Sequence, residues 1–279
     1  MSVDRSHYGC CLYAQTAVIQ HCYKCALPAG AFLFSRLSES CAKPGFAQMA
    51  KADDNKCMPL RTTEFAPNEH YHLCVRGNNK QVIFNSRADR ARLLFLITHL
   101  QSEENFQNIS RIVKSYLKNS IWDVDESMVS TIIANRYVAL ESFALMDNHL
   151  HLGIREEQEH GVTKYMQRVL TAYAKYRNLK YEMVGHVFQG PYRAVHIENN
   201  DQLLYVSTYI HRNPRELRGM AGKEHQYEWS SYQDYIGENR FGGLLDRSLV
   251  LEQFPSPSEY QEFVNSSIAK DSEYLFDPF

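Results

Sequence analysis

Two histidines one residue apart, His149 and His151, stand in the run Leu145-Met146-Asp147-Asn148-His149-Leu150-His151-Leu152-Gly153-Ile154. In a β-strand, residues two apart project to the same side. A strand here therefore aims both imidazoles one way and Leu150 and Leu152 the other, which makes half a metal site on a rigid element. A second pair stands further on, in Thr208-Tyr209-Ile210-His211-Arg212-Asn213-Pro214. Helix residues four apart share a face, so Tyr209 and Asn213 do. Two imidazole nitrogens and one amide oxygen form a donor set that suits Mg²⁺ or Mn²⁺, with positions left for phosphate and water. A tyrosine hydroxyl one turn from that amide could attack such a phosphate. Each pair alone also fits a plain structural role: surface histidines on a strand, and a half-buried tyrosine before a helix-end asparagine.

These side chains need elements to position them. His70 to Val75 reads as a strand, followed by the loop Arg76-Gly77-Asn78-Asn79-Lys80, with Val82-Ile83-Phe84 continuing extended. Ser86 is placed to cap a helix running to Leu100, with Ala91, Leu94, Phe95 and Leu96 at helical spacing. A second helix is expected over 109–117. Tyr137 to Met146 reads as a strand, Asp147-Asn148 as a turn, and the His segment as the returning strand of a hairpin. Gly161 to Tyr181 has Tyr165, Val169 and Tyr173 at spacing four, which predicts a helix. Ala194 to Ile197 is a short strand, and Asp201 to Arg212 a helix stopped before Pro214. The order strand, helix, strand, strand, helix, strand predicts an α+β domain: an antiparallel sheet with helices packed on one face.

Composition sets the frame for that domain. The chain has 279 residues, 44% hydrophobic and 22% charged, the profile of a globular protein. No apolar run reaches the length a membrane span requires, so no membrane partner is expected. The net charge of −2 hides an asymmetry. Residues 161–219 hold nine Lys plus Arg against four Asp plus Glu, whereas 220–279 hold four against eleven. A basic stripe so close to the His pair fits either a phosphate-binding surface or a solvated helix face. Of seven cysteines, only Cys74 follows Cys57. That distribution argues against a disulfide scaffold and for a reduced, cytoplasmic domain. Cys22-x-x-Cys25 is half of a zinc site whose second half has no well-spaced candidate. The expected organisation is a weakly ordered, cysteine-containing amino-terminal extension over 1–66, a main domain over 67–236 and an acidic tail over 237–279.

Five segments in order resemble a known family. They are His70-Tyr71-His72-Leu73 with Arg76-Gly77-Asn78-Asn79, then Leu145 to Leu152, Gly185-His186-Val187-Phe188-Gln189-Gly190, Tyr209-Ile210-His211-Arg212-Asn213-Pro214, and Trp229-Ser230-Ser231-Tyr232. Together they resemble the HUH single-strand tyrosine transposases, the two-hundred-type insertion-sequence enzymes, and most of all the REP-associated tyrosine transposases. The resemblance spans roughly His70 to Tyr232. The chain departs from the family at Asp147, where proline is usual, and at Gly190-Pro191, where Gly-Arg is usual and Arg193 stands close by.

The resemblance implies a ferredoxin-like fold for the 67–236 domain, a divalent cation (Mg²⁺ or Mn²⁺) on His149, His151 and Asn213, and Tyr209 as nucleophile. It also implies nicking and joining of single-stranded DNA with a hairpin or inverted repeat, through a covalent 5′-phosphotyrosine. Lys164, Arg168, Lys175, Arg177 and Arg193 are then the expected backbone contacts, with His186 and Gln189 near the site. Tyr176 and Tyr181 could stack on unpaired bases, whereas Tyr173 is expected in the core. Insertion-sequence relatives work as homodimers that exchange the tyrosine helix, while the longer REP-associated relatives act alone; this chain's length leans to the latter. Two competing readings remain: a DNA-binding regulator on the same fold that no longer cuts, and a metal-dependent hydrolase using the His pair without a covalent step.

Overall fold

The computed structural model describes residues 63–267; of the expected leader over 1–66 only the last four residues fall among them, and its Cys-x-x-Cys pair lies outside. Strands β1 (His70–Arg76), β2 (Val138–Leu145), β3 (His149–Glu156) and β4 (Arg193–Ile197) form one antiparallel sheet. Their order is β2-β3-β1-β4. With α1 (Arg87–His99) between β1 and β2, and α4 (Gly161–Lys180) between β3 and β4, the chain traces the β-α-β-β-α-β path of a ferredoxin-like fold. The predicted hairpin is β2-β3.

Strand alternation sorts the sheet into two faces. Leu73, Val75, Leu150, Leu152, Ile154, Phe143 and Leu145 point to one face and are buried under α1 and α4 with Leu93, Leu94, Tyr165, Val169 and Tyr173. On β2, a register shift between Leu140 and Ser142 keeps this alternation matched to β3 on both sides of Glu141. Helix α2 (Ile109–Asn119) packs on α1. Helix α3 (Glu126–Ala134), which the sequence reading passed over, is capped by the Asp125 side chain. Val82 to Phe84 is not a strand; Ile83 and Phe84 enter the core from an irregular segment.

The expected helices on one face are α1 and α4. A further helix, α5 (Asn200–Arg212), lies on the opposite face against β2, β3 and β4. Leu203, Val206 and Ile210 present its apolar side to Ala144 and Ile197. Gly153 lies beneath this helix: a Cβ there would clash with Ser142 Oγ of β2 at 2.3 Å and meet Ile210 Cδ1 of α5 at an ordinary contact distance of 3.6 Å, so a larger side chain would overfill the seam. The stretch expected to be an acidic tail supplies the other half of this second core. Helices α6 (Tyr232–Ile236), α7 (Ser248–Leu251) and α8 (Pro257–Ser266) bring in Tyr235, Val250, Tyr260 and Val264, all buried. The acidic surface residues of this stretch masked a buried pair one turn apart, Tyr260 and Val264.

Polar contacts then fix α5. His211 is fully buried, with Nδ1 2.6 Å from the Tyr260 hydroxyl and Nε2 2.8 Å from Ser231 Oγ. Ser231 Oγ also accepts the Phe143 N–H of β2 at 2.8 Å. Burial lowers the His211 pKa to about 3, so the ring works as a neutral hydrogen-bonding bridge between α5, α8 and the sheet. Arg212 donates to the Val264 carbonyl at 3.1 Å, adding a second tie to α8.

Asp89 organises the opposite layer. It completes a capping box with Ser86 and accepts the Tyr176 and Tyr181 hydroxyls at 2.9 and 2.7 Å and Lys180 Nζ at 2.7 Å. Burial pushes its pKa up, but the hydrogen bonds from Lys180, Tyr181, Tyr176 and the Asn85 N–H outweigh that and hold it below the ordinary carboxylate value.

Two stability predictions follow from these contacts. A folded pKa below the unfolded one gives stability that is present above the unfolded value, about pH 4, and is lost as pH falls through the folded value. Asp89→Asn should cost about 2–4 kcal/mol of unfolding free energy at pH 7. In denaturant titrations, the gap from the unsubstituted protein should narrow at pH 3; a gap independent of pH would contradict the assignment. Gly153→Val should cost about 1–3 kcal/mol by overpacking the α5 seam. An unchanged denaturation midpoint would show that α5 does not seat there.

Candidate active site

Direct pairing places Cys74 opposite His151 and Arg76 opposite His149. Because strand residues alternate, the face that carries His149 and His151 also carries His72, Cys74 and Arg76. The His149 and His151 ring centres lie 5.0 Å apart. His149 is half-buried, with Nδ1 2.7 Å from Asn148 Oδ1. His151 is buried; its Nδ1 lies 3.0 Å from His72 Nε2 and its Nε2 3.9 Å from Cys74 Sγ. His72 is buried as well, and desolvation lowers its pKa to about 4, so the ring is neutral at pH 7.

Helix α5 covers this histidine face. The Tyr209 ring stands edge-on to two imidazoles, 5.5 Å from His151 and 5.6 Å from His72 between ring centres. Asn213 caps the helix one turn on. Its Nδ2 donates to the Tyr209 carbonyl at 2.9 Å, while its buried Oδ1 has no hydrogen-bond partner among the described residues. Burying an amide oxygen unpaired is costly unless something else takes its lone pairs. Such an oxygen is the hard donor that Mg²⁺ or Mn²⁺ prefers, and His149 and His151 supply borderline nitrogens from a rigid strand. Among the described residues, no three His, Cys, Asp or Glu side chains converge as a metal-ligand group. A cation here would therefore rest on the imidazoles with the Asn213 amide, a donor set the residues fit. The sequence-predicted quartet His149, His151, Tyr209 and Asn213 thus comes from β3 and the overlying end of α5 in one chain.

Other predicted residues are placed differently. Helix α4 lies under the leucine face, across the sheet from the histidines. Lys164 and Lys175 are exposed on it, with Lys164 Nζ 5.3 Å from the centre of the Tyr137 ring. Arg168 donates to the Glu104 carbonyl at 2.7 Å and pins that loop. Arg177 is buried and donates to the Val82 carbonyl at 3.2 Å. The Tyr173 hydroxyl donates to the Ile83 carbonyl at 2.6 Å in the core, as expected. Tyr176 and Tyr181, expected to stack on bases, turn their hydroxyls to Asp89. Arg193 is exposed on β4 opposite Cys74, and so belongs to the histidine face. His186 and Gln189 are exposed in a loop whose Phe188 bridges to Gly77, with the Gln189 N–H donating to the Arg76 carbonyl at 2.8 Å. Asp147 pairs with Arg90 of α1.

The sequence reading left His72, Cys74 and Arg76 out of the site. The signal was there: His70-Tyr71-His72-Leu73-Cys74-Val75-Arg76 alternates polar and apolar residues with the strand period. What it lacked was the pairing register that sets His72 and Cys74 beside His151.

The family described as IS200-like transposases matches residues 111–213, the segment that contains β2, β3, α4, β4 and α5 with both histidines, Tyr209 and Asn213. No curated protein matches the chain. Among solved structures, a REP-associated tyrosine transposase bound to a REP hairpin is similar at 11% identity and a TM-score of 0.39, over 64% of this chain and 86% of that one. Over residues 111–213, therefore, the chain is similar to the IS200-like transposases.

Proposed function

We propose that the protein nicks and rejoins single-stranded DNA through a covalent 5′-phosphotyrosine on Tyr209. One observation carries the reading: within a single chain, the Tyr209 ring packs against His151 and His72 while the buried Asn213 amide oxygen one turn away has no hydrogen-bond partner among the described residues. An isolated phenol has a pKa of about 10 and is a weak nucleophile at neutral pH. Packing of the Tyr209 ring against the histidine face restricts the phenol's orientation, which would lower the entropic part of the barrier. A Mg²⁺ or Mn²⁺ ion held by His149, His151 and Asn213 would polarise the phosphate and offset its developing charge.

The Tyr209 oxygen forms a bond to phosphorus as its proton departs. The bond from phosphorus to the 3′ oxygen breaks, and that oxygen leaves as a 3′-hydroxyl after taking up a proton. The 5′ side stays on the tyrosine, and a 3′-hydroxyl can reverse the exchange without a nucleotide cofactor. Arg76 and Arg193 share the face with the histidines and suit the strand's phosphates, with His186 and Gln189 in the adjoining loop. Lys164 and Lys175 would serve only DNA that reaches the far face, while Arg168 and Arg177 act mainly as structural donors. The substrate we propose is a single strand with a hairpin or inverted repeat. A homodimer is not required to unite tyrosine and histidines.

The test incubates the full chain and Mn²⁺ with single-stranded oligonucleotides carrying the inverted repeats that flank its gene. A denaturing gel should show a protein–DNA adduct, absent in Tyr209→Phe and strongly reduced in His149→Ala and Asn213→Ala. Cleavage that survives Tyr209→Phe but is lost in His149→Ala would replace this reading with simple hydrolysis. DNA binding with no cleavage would make the protein a regulator.

A further inference from the structure

We infer that His72 is a positioning residue for His151: it receives the His151 Nδ1 proton and so leaves His151 Nε2 with the lone pair a cation needs. The inference rests on the proposed metal-ligand role of His151. The two buried rings face each other nearly parallel, 21° apart, with His72 Nε2 3.0 Å from His151 Nδ1. A single proton occupies that line. If His72 donates it, His151 carries its own hydrogen on Nε2 and cannot ligate. If His151 donates it, Nε2 is free of hydrogen. A neutral imidazole has one N–H, so the partner of one nitrogen decides the state of the other.

His72 is the group within hydrogen-bond distance of His151 Nδ1. Cys74 Sγ is 3.9 Å from His151 Nε2, and a thiol is only a weak donor or acceptor. His72 is 1% exposed; accepting at Nε2 puts its own hydrogen on Nδ1, which has no hydrogen-bond partner among the described residues. The Tyr209 ring, 5.6 Å from that of His72 between centres, closes the space beside it, so the imidazole is held at the nucleophile as well as at the ligand. Outer partners of metal-bound histidines work this way in general, and their loss typically weakens metal affinity about 10–100-fold. His72 itself ligates nothing in this assignment and touches no substrate.

Three variants of the full chain test it. His72→Phe keeps a flat ring and removes the acceptor, and His72→Leu serves if the larger ring prevents folding. His72→Gln restores an acceptor oxygen. Two readouts are needed, with circular dichroism confirming the fold. Long-range ¹⁵N–¹H spectra of the metal-free protein should show the His151 hydrogen on Nδ1, moving toward Nε2 in His72→Phe. Mn²⁺ titration followed by electron paramagnetic resonance should show affinity about 10–100-fold weaker in His72→Phe and largely restored in His72→Gln. A folded His72→Phe protein with an unshifted His151 tautomer and unchanged Mn²⁺ affinity would overturn the inference. Failure of the unsubstituted protein to bind Mn²⁺ would instead strike the metal-ligand reading, while the tautomer spectra still judge the His72–His151 link.

Discussion

The two-residue repeat of extended chain is the constraint on which the site depends. On β3 it sends His149 and His151 to one face and Leu150, Leu152 and Ile154 to the other. A slip of one residue against β1 would drive the histidines into the leucine core and expose the leucines, at a cost no local contact offsets. The register is secured from both sides, because β3 is an inner strand, paired along β1 and β2. The candidate ligands His149 and His151 therefore sit on one of the two inner strands of the sheet. That is where a donor set needing sub-ångström placement gains most from its scaffold.

The second requirement is that α5 approach the polar face of a sheet. A helix covering histidines, a cysteine and an arginine cannot be held by apolar contact alone. The seam is accordingly mixed. Leu203, Val206 and Ile210 bury area against Ala144 and Ile197, while His211, Ser231 and Tyr260 supply a closed hydrogen-bond bridge with no charge to desolvate. Residues far along the chain, at 229–231 and 257–264, thereby fix the azimuth of Tyr209. A rotation of α5 by one residue, about 100° of helix phase, would remove the phenol from the imidazoles and tear the His211 bridge. The same polar contacts thus specify the helix phase and support the site.

Much of this was legible in the sequence because it is local. Ser86 before a helical apolar pattern read correctly as a cap, and Asp147-Asn148 between two strand patterns as a hairpin turn. His149 with His151, and Tyr209 with Asn213, follow from the strand and helix periods. What stayed hidden is long-range. Periodicity shows that α4 and α5 each have an apolar side, but not which face of the sheet each covers. Lys164, Arg168, Lys175 and Arg177 therefore looked like neighbours of the histidines and lie across the sheet from them. Charge alone does not say whom it pairs with: Arg168 serves loop carbonyls, and Asp147, an acid beside the His pair in sequence, is taken by Arg90. Tyr176 and Tyr181 answer to a carboxylate nearly ninety residues earlier in the chain. The acidic stretch after 237 concealed Tyr260, whose partners are Ser207 and His211 of α5.

The polar groups of the molecule also divide by how fully they are satisfied. Asp89 is saturated, with donors from three side chains and two backbone amides. His211 uses both nitrogens. Asn213 Oδ1 and His72 Nδ1, by contrast, are buried without hydrogen-bond partners among the described residues, on groups that flank Tyr209. Each such atom costs about 1–3 kcal/mol in a folded protein. Other buried polar atoms among the described residues also lack partners, Trp122 Nε1, Glu156 Oε2 and Tyr232 Oη among them, so these two are set apart by their place beside Tyr209 and not by being open. Asn213 Oδ1 is the one of the two that the proposed cation would use, because it stands one turn from Tyr209 on the helix that covers the histidine face.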